Sequence, residues 1–206
     1  MDSSANVENE PLVQPESIKL EGNLKEVWQI WQLRRNFLCL LCLLSVSSFS
    51  YYLINFKLKN VKGSLTLNTL VSQTSEVAAD VVSVLVYLAL GPRRGFASGY
   101  LLATLGALLL LCFPDNIAMI PFFVTVAKFG VASSFNTVYL ASVGLIPTMF
   151  ASSVFGLCNV AARLVTIAAP VVAEQAYPAP MLLCLLAVIL GTGISQLIIV
   201  DLPKFE

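Results

Sequence analysis

Six windows of largely apolar residues divide the chain, at about 37–56, 65–90, 96–113, 117–143, 151–172 and 181–200. A hydrocarbon core about 30 Å thick is crossed by a helix of about 20 apolar residues, and a helix satisfies its own backbone N–H and C=O groups where water is absent. The pattern predicts an all-α membrane protein with six transmembrane helices. Residues 1–36 are then a cytosolic acidic tail with an amphipathic lead-in helix, and 201–206 a short cytosolic tail. Composition agrees: 57% of residues are apolar and 12% charged, where a soluble domain carries about 25% charge.

Several chemistries are excluded at once. The chain has no His, which removes imidazole metal sites, His triads and His proton relays. Formal charge is zero and no basic block occurs, so no nucleic-acid partner is expected. Cys39-x-x-Cys42 has metal or redox spacing, yet no second pair completes a site. All five Cys lie in or at the ends of apolar spans and read as packing residues. No cofactor is expected.

Residues 1–26 are polar and acidic, which is not the pattern of a cleavable signal, and 1–17 read as disordered. Leu20, Leu24, Val27, Trp28 and Trp31 then fall on one helical face. With Arg34 and Arg35 following, this face suits either a helix at the headgroup level or a plain cytosolic lead-in.

The second span is the most polar. Asn68, Ser72, Gln73, Glu76 and Asp80 share one face, which must look into the bundle or a water-filled cavity. Glu76 and Asp80 stand one turn apart as like charges, so a cation, a proton or a nearby Lys or Arg is expected beside them. Lone cations, Lys128 and Arg163, sit in the fourth and fifth spans. A charge at that depth costs about 2.5–3.5 kcal/mol on insertion scales and marks a polar cavity or a partner. Lys128, Ala132, Phe135 and Tyr139 lie on one face of the fourth span, and Asn159, Arg163 and Thr166 on one face of the fifth. Tyr51 and Tyr52 in the first span suit a cavity wall or an aromatic belt equally. The third span opens with Gly95, Gly99, Ala103 and Ala107, a packing seam. Gly91-Pro92-Arg93-Arg94-Gly95 is a tight basic turn.

With the amino terminus in the cytosol, Lys19, Lys25, Arg34, Arg35, Arg93, Arg94 and Lys204 are cytosolic, against Lys57, Lys59 and Lys62 outside. The excess places both termini inside.

The segment Lys128-x5-Ser134-Phe135-Asn136, then Leu145-x-Pro147-Thr148 and Ala162-Arg163, resembles the organic anion and cation transporters, family 22 of the solute carriers within the major facilitator superfamily. The likeness runs back through Arg93-Arg94, Glu76 and Tyr51-Tyr52 to Leu33-Arg34-Arg35 and covers about 30–204, the second six-helix half of such a carrier. It implies a small organic ion held between two halves that rock around it. Tyr51, Tyr52, Glu76, Asp80, Lys128, Phe135, Tyr139 and Arg163 would contact the substrate, and Arg93 and Arg94 would belong to a cytosolic gating turn. The Arg163 position resembles the basic one of the anion branch, whereas Asp80 stands where that branch typically has Lys. The lean is to anions, and a plasma membrane location follows from the resemblance alone.

The family turn Glu-Leu-Tyr-Pro-Thr-x-x-Arg stands here as Gly144-Leu145-Ile146-Pro147-Thr148-Met149-Phe150-Ala151, without its charged members. Lys204 replaces a family acid, and Pro92 is inserted before Arg93. These positions belong to the family's cytosolic salt-bridge network, so gating is expected to be altered or absent. One half alone gives the cavity one wall. The readings left open are a carrier portion, a half that forms a homodimer or pairs with another carrier half, and a non-transporting truncated homologue that partners a full-length carrier. An enzyme is not expected, because Glu76 and Asp80 have no nucleophile, metal set or orienting group beside them. With no Walker loop, movement would be facilitated diffusion or exchange.

Overall fold

Gly91 decides how the middle of the chain is laid out. In the computed structural model, which describes residues 24–58, 65–113, 119–176 and 178–200, α3, Leu65–Cys112, is two helices joined across a kink at Gly91, which has φ 79° and ψ 174°. A straight helix of that length would extend about 72 Å. Instead the chain doubles back, so that a Cβ on Gly95 would lie 3.7 Å from the Cα of Tyr87. Pro92 follows at a position where a first-turn N–H has no helical partner to lose. The expected basic turn is therefore a hinge between two helical arms, 65–90 and 92–112.

The remaining described elements are also helices: α1 Leu24–Gln29, α2 Trp31–Leu58, α4 Ile120–Leu145, α5 Thr148–Thr166, α6 Ala168–Ala173 and α7 Ala179–Ser195. Among the described residues three stretches are long and apolar enough to cross a bilayer, Trp31–Phe56, Ser72–Cys112 and Thr148–Ala173, and α7 is a shorter apolar helix. Helix α4 is 26 residues long, about 39 Å, with its apolar run diluted by Lys128, Ser133, Ser134 and Asn136. Helix α2 starts earlier than the expected first span, since it takes in 31–36, and the expected fifth span is divided by a turn at Ile167. Expectations on residues 1–23, on the side chains of Lys57 and Asn68, and on Lys59, Lys62, Asp115, Asn116 and Lys204 lie outside the described residues.

The polarity of the bundle suits lipid. Large aliphatic side chains face outward, among them Leu85, Leu88, Leu105, Leu157, Val160, Leu164 and Leu190, whereas Ser47, Ser48, Ser50, Ser134 and Thr137 are buried. In water that many exposed aliphatics would form an apolar surface far beyond an ordinary monomer's. Hydroxyls inside the helices bond to the carbonyl one turn back, as Ser45 does to Leu41, Thr104 to Tyr100, Thr125 to Pro121 and Thr192 to Val188, so they need no water. This is an integral membrane protein.

Contacts fix the register. Gln73 meets Lys128, Ser83 meets Asn136, and the Tyr87 hydroxyl reaches Gly144, so 65–90 runs parallel to α4. Gly106 abuts Ala127, Gly99 abuts Gly130 and Ser134, and Gly95 abuts Thr137, so 92–112 runs antiparallel to α4. Backbones nearly touch along this seam: a Cβ on Gly130 would sit 2.3 Å from the amide nitrogen of Ala103, and one on Gly106 2.3 Å from that of Ala127. The expected seam is present, and Gly106, Ala127 and Gly130, which the spacing of Gly95, Gly99, Ala103 and Ala107 does not name, complete it.

Helix α2 is the central post, touching α4, α5, α6 and α7. Its Leu33, Leu40, Leu43, Leu44 and Leu53 are fully buried. Ser48 joins Thr166 at 2.8 Å. Buried Tyr100 joins Ser47 at 2.8 Å and donates to the Leu43 carbonyl at 3.0 Å. At one end of the bundle Asn36 clamps the segment after α7 in both directions: its Nδ2 donates to the Ile199 carbonyl and its Oδ1 accepts from the Ile199 amide, each at 2.9 Å. Asn36→Ala breaks both bonds and strands buried polar groups, so unfolding in detergent should become about 2 kcal/mol easier, read as an earlier thermal midpoint. Asn36→Asp keeps the acceptor and should lose less.

Candidate functional site

The site assembles on four elements around α2. Adjacent residues near the end of α2 place Tyr51 toward the 65–90 arm and Tyr52 toward α5. The Tyr51 hydroxyl donates to Glu76 Oε1 at 2.7 Å, and the Tyr52 hydroxyl accepts from an Arg163 terminal nitrogen at 2.7 Å. The two rings meet edge-on, with centroids 5.4 Å apart. From α4, Phe135 lies 6.0 Å from the Tyr51 ring and 5.3 Å from Tyr139. Tyr139 continues to Phe155 of α5 at 4.9 Å. The result is a cavity of about 230 Å³ lined by Tyr51, Tyr52, Glu76, Asp80, Ala132, Phe135, Tyr139 and Arg163.

Lys128 is placed differently. Its side chain is 2% exposed and lies behind the cavity lining, with Nζ 3.2 Å from Glu76 Oε2. It donates to Gln73 Oε1 at 2.7 Å and sits 5.4 Å from the Tyr51 ring centroid. A buried ammonium held by a carboxylate, an amide oxygen and an aromatic face is compensated and has little reason to reach a ligand. The helix 65–90 delivers both partners because Gln73 and Glu76 are one turn apart on the face toward α4. The expectation that a cation stands beside the carboxylates is met by Lys128 at Glu76.

Of the three charged residues that line the cavity, Glu76 is paired with Lys128, and Asp80 and Arg163 have no ion-pair partner among the described residues. Asp80 is exposed, and its backbone carbonyl accepts from Asn136 Nδ2 at 3.1 Å and from Ser83 Oγ at 2.7 Å. Among the described residues its carboxylate has no hydrogen bond or ion pair. Arg163 is exposed too, donating to Tyr52 with its guanidinium 5.8 Å from that ring's centroid. A guanidinium has five N–H donors, so most remain for a ligand. Seven of the eight expected contact residues thus line one cavity. Asn159 bonds back to Phe155 and Thr166 is taken up with Ala162 and Ser48.

Arg93 and Arg94, expected in a gating turn, stand at the Gly91 hinge. Arg93 Nε donates to the Ile198 carbonyl at 2.7 Å, Arg35 Nε to that of Leu197 at 2.7 Å, and Arg94 is exposed. The hinge and α2 are thereby tied to the segment after α7. Sequence reasoning named Arg35 and Asn36 for neither tie. A polar Asn directly before a buried apolar run was the available signal for Asn36; for Phe155 in the aromatic row there was none.

No family model matches the chain. Against individual proteins, it is 30% identical over 163 residues to solute carrier family 22 member 6 of Bos taurus, covering 78% of this chain and 30% of that protein. Relatives at about 30% identity over most of the chain support a solute carrier family 22-like transporter family. It is also 30% identical over 127 residues to solute carrier family 22 member 4 of Mus musculus, across 61% of this chain and 23% of the relative. To an organic cation transporter-like protein of Drosophila melanogaster it is 26% identical over 171 residues, 80% of this chain and 30% of the relative. The chain thus spans roughly a quarter to a third of the length of these relatives. The major facilitator superfamily is the superfamily of these carriers, and the apolar helices fit a membrane transport protein.

Proposed function

We propose that this solute carrier family 22-like protein forms one six-crossing wall of a carrier for small organic ions, with a lean to organic anions. One observation carries the reading: the exposed guanidinium of Arg163 and an aromatic row open into one cavity of about 230 Å³. Concave sites of this kind, apolar with a few aimed polar groups, hold small ligands. Helix order supports six crossings, since the hinge at Gly91 turns α3 into two antiparallel arms and α4 reverses again. In this reading both termini are cytosolic, the membrane is the plasma membrane, and movement is facilitated diffusion or exchange by alternating access.

The test is uptake of labelled benzoate and labelled benzylamine by proteoliposomes holding the 206-residue chain. Arg163→Ala is expected to lower benzoate uptake about tenfold or more, the worth of charge-assisted hydrogen bonds to a carboxylate. Unchanged benzoate kinetics would remove Arg163 from the site.

A second reading has its own support. Helix α5 leaves Arg163 exposed, and a charge at membrane depth calls for a polar partner that lipid alone does not supply. Such a chain would pair with another copy or with a full-length carrier without transporting by itself. Co-purification with a full-length carrier, together with no uptake by the chain alone, would select this reading; uptake by the chain alone would reject it.

A further inference from the structure

The cavity sits late in α2, at Tyr51 and Tyr52, whereas the start of the same helix gathers arginines. Arg35 precedes Tyr51 by about 24 Å along the helix, at a rise of about 1.5 Å per residue. Its Nε donates to the Leu197 carbonyl, and Nε of Arg93 at the hinge donates to the next carbonyl, that of Ile198, each at 2.7 Å. Two guanidiniums from separate elements are thus anchored one residue apart. Arg34 and Arg94 adjoin them in sequence, and Arg94 is exposed. These bonds do not neutralise the charge. The carbonyl end of a helix supplies about −0.5 of a charge, and the amino end of the 92–112 arm brings about +0.5 to the same place. Each bond also uses one of a guanidinium's five N–H donors, and the rest suit an anion with several oxygens, such as a phosphate.

The surroundings set that anion at a membrane surface. Trp28 and Trp31 are 52% and 56% exposed at this end, as tryptophan is at headgroup level, and the Arg34 guanidinium lies 5.3 Å from the Trp31 ring centroid. Beyond the cations the same faces turn aliphatic. Leu38 is exposed one turn after Arg34, and Leu101 and Leu105 are exposed on the face of Arg94, two and three turns on.

We infer that this end of the bundle binds an anionic phospholipid, its phosphate on Arg35 and Arg93 with Arg34 and Arg94 beside it, and its acyl chains along the exposed leucines. A soluble phosphate would engage the arginines but neither the tryptophans nor the leucines. A choline lipid has the same phosphate but brings a fixed positive charge among four arginines, and like charges reject it. In the orientation proposed above, this end meets the cytosolic leaflet, which carries the anionic lipids. The site is separate from the cavity and does not depend on what the cavity holds.

The test is native mass spectrometry of the full 206-residue chain in mild detergent, titrated with phosphatidylglycerol or phosphatidylcholine of identical acyl chains. Phosphatidylglycerol is expected to saturate at one tightly held copy and to bind about tenfold or more tighter than phosphatidylcholine, with glycerol 1-phosphate at equal concentration failing to displace it. Arg94→Gln, which breaks neither carbonyl tie, should weaken phosphatidylglycerol about fivefold, the worth of one cation beside an anionic lipid, and leave phosphatidylcholine unchanged. The lipid comparison is made on the unaltered chain, so it does not depend on the variant folding. Equal retention of the two lipids would overturn the assignment, as would full displacement by glycerol 1-phosphate, which would make the site one for a free phosphate. A folded Arg94→Gln, Arg34→Gln double variant with undiminished phosphatidylglycerol preference would overturn the placement on these arginines.

Discussion

Lys128→Met is expected to destabilise the bundle by about 3 kcal/mol, seen as a lower thermal midpoint in detergent. The substitution leaves Glu76 with a buried charge whose partner is gone, and removing one member of a buried ion pair costs about 3–5 kcal/mol. The lower end applies because the Glu76 side chain is 26% exposed, whereas that of Lys128 is 2%. Gln73 and Tyr51 would still hold part of the network, Tyr51 by its bond to Glu76 Oε1. The double change Lys128→Met with Glu76→Gln removes both charges and should recover most of the loss, since replacing a buried pair by neutral groups is often close to neutral. If the double variant is as unstable as the single one, the pair is not what Lys128 contributes.

Gly130→Leu should act as strongly by a different route. Any side chain at this position points at the backbone of the 92–112 arm, where the nearest atoms are Ala103 N at 2.3 Å and the Gly99 carbonyl oxygen at 2.6 Å. Backbone cannot swing aside as a flexible side chain can, so the two helices must separate. Overpacking costs about 1–3 kcal/mol and occasionally more, and here it also shifts α4, whose Asn136 bonds to Asp80 and Ser83 of the 65–90 arm. Loss of the monodisperse folded fraction in size-exclusion chromatography is expected. Gly156→Leu is the control, because nothing lies within 4 Å of a Cβ there; it should be tolerated.

Much of this arrangement was legible in the residues because membrane helices advertise themselves by length and apolarity, and a polar group inside one must have a reason. The shared face of Glu76 and Asp80 and that of Ala132, Phe135 and Tyr139 meet at one cavity, whereas periodicity left Tyr51 and Tyr52 open between a cavity wall and an aromatic belt. The division of labour between the two cations was not legible. Both read as lone charges in apolar spans, and whether each meets a carboxylate or a cavity depends on the relative rotation of helices. That rotation is set by the small-residue seam: Gly99 and Gly106 against Gly130 and Ala127 turn α4 so that Lys128 faces Glu76 behind the lining. Nor could the sequence show that Arg163 would rest on Tyr52, since the pair is separated by 111 positions. The ties made by Asn36 and Arg35 were not legible because their partners are backbone groups of Ile199 and Leu197, which carry no signature in the amino-acid string.

The central claim is that small organic ions occupy the space among Tyr51, Tyr52, Phe135, Tyr139 and Arg163. The most direct measurement is photolabelling of the 206-residue chain in nanodiscs with 4-azidobenzoate, with the adducts mapped by mass spectrometry. The account predicts adducts on the α2 peptide holding Tyr51 and Tyr52 and on the α4 peptide holding Phe135 and Tyr139, suppressed by excess benzoate and absent in Arg163→Ala. Labelling confined to the outward faces of α5 and α7, or labelling that benzoate does not suppress, would contradict it.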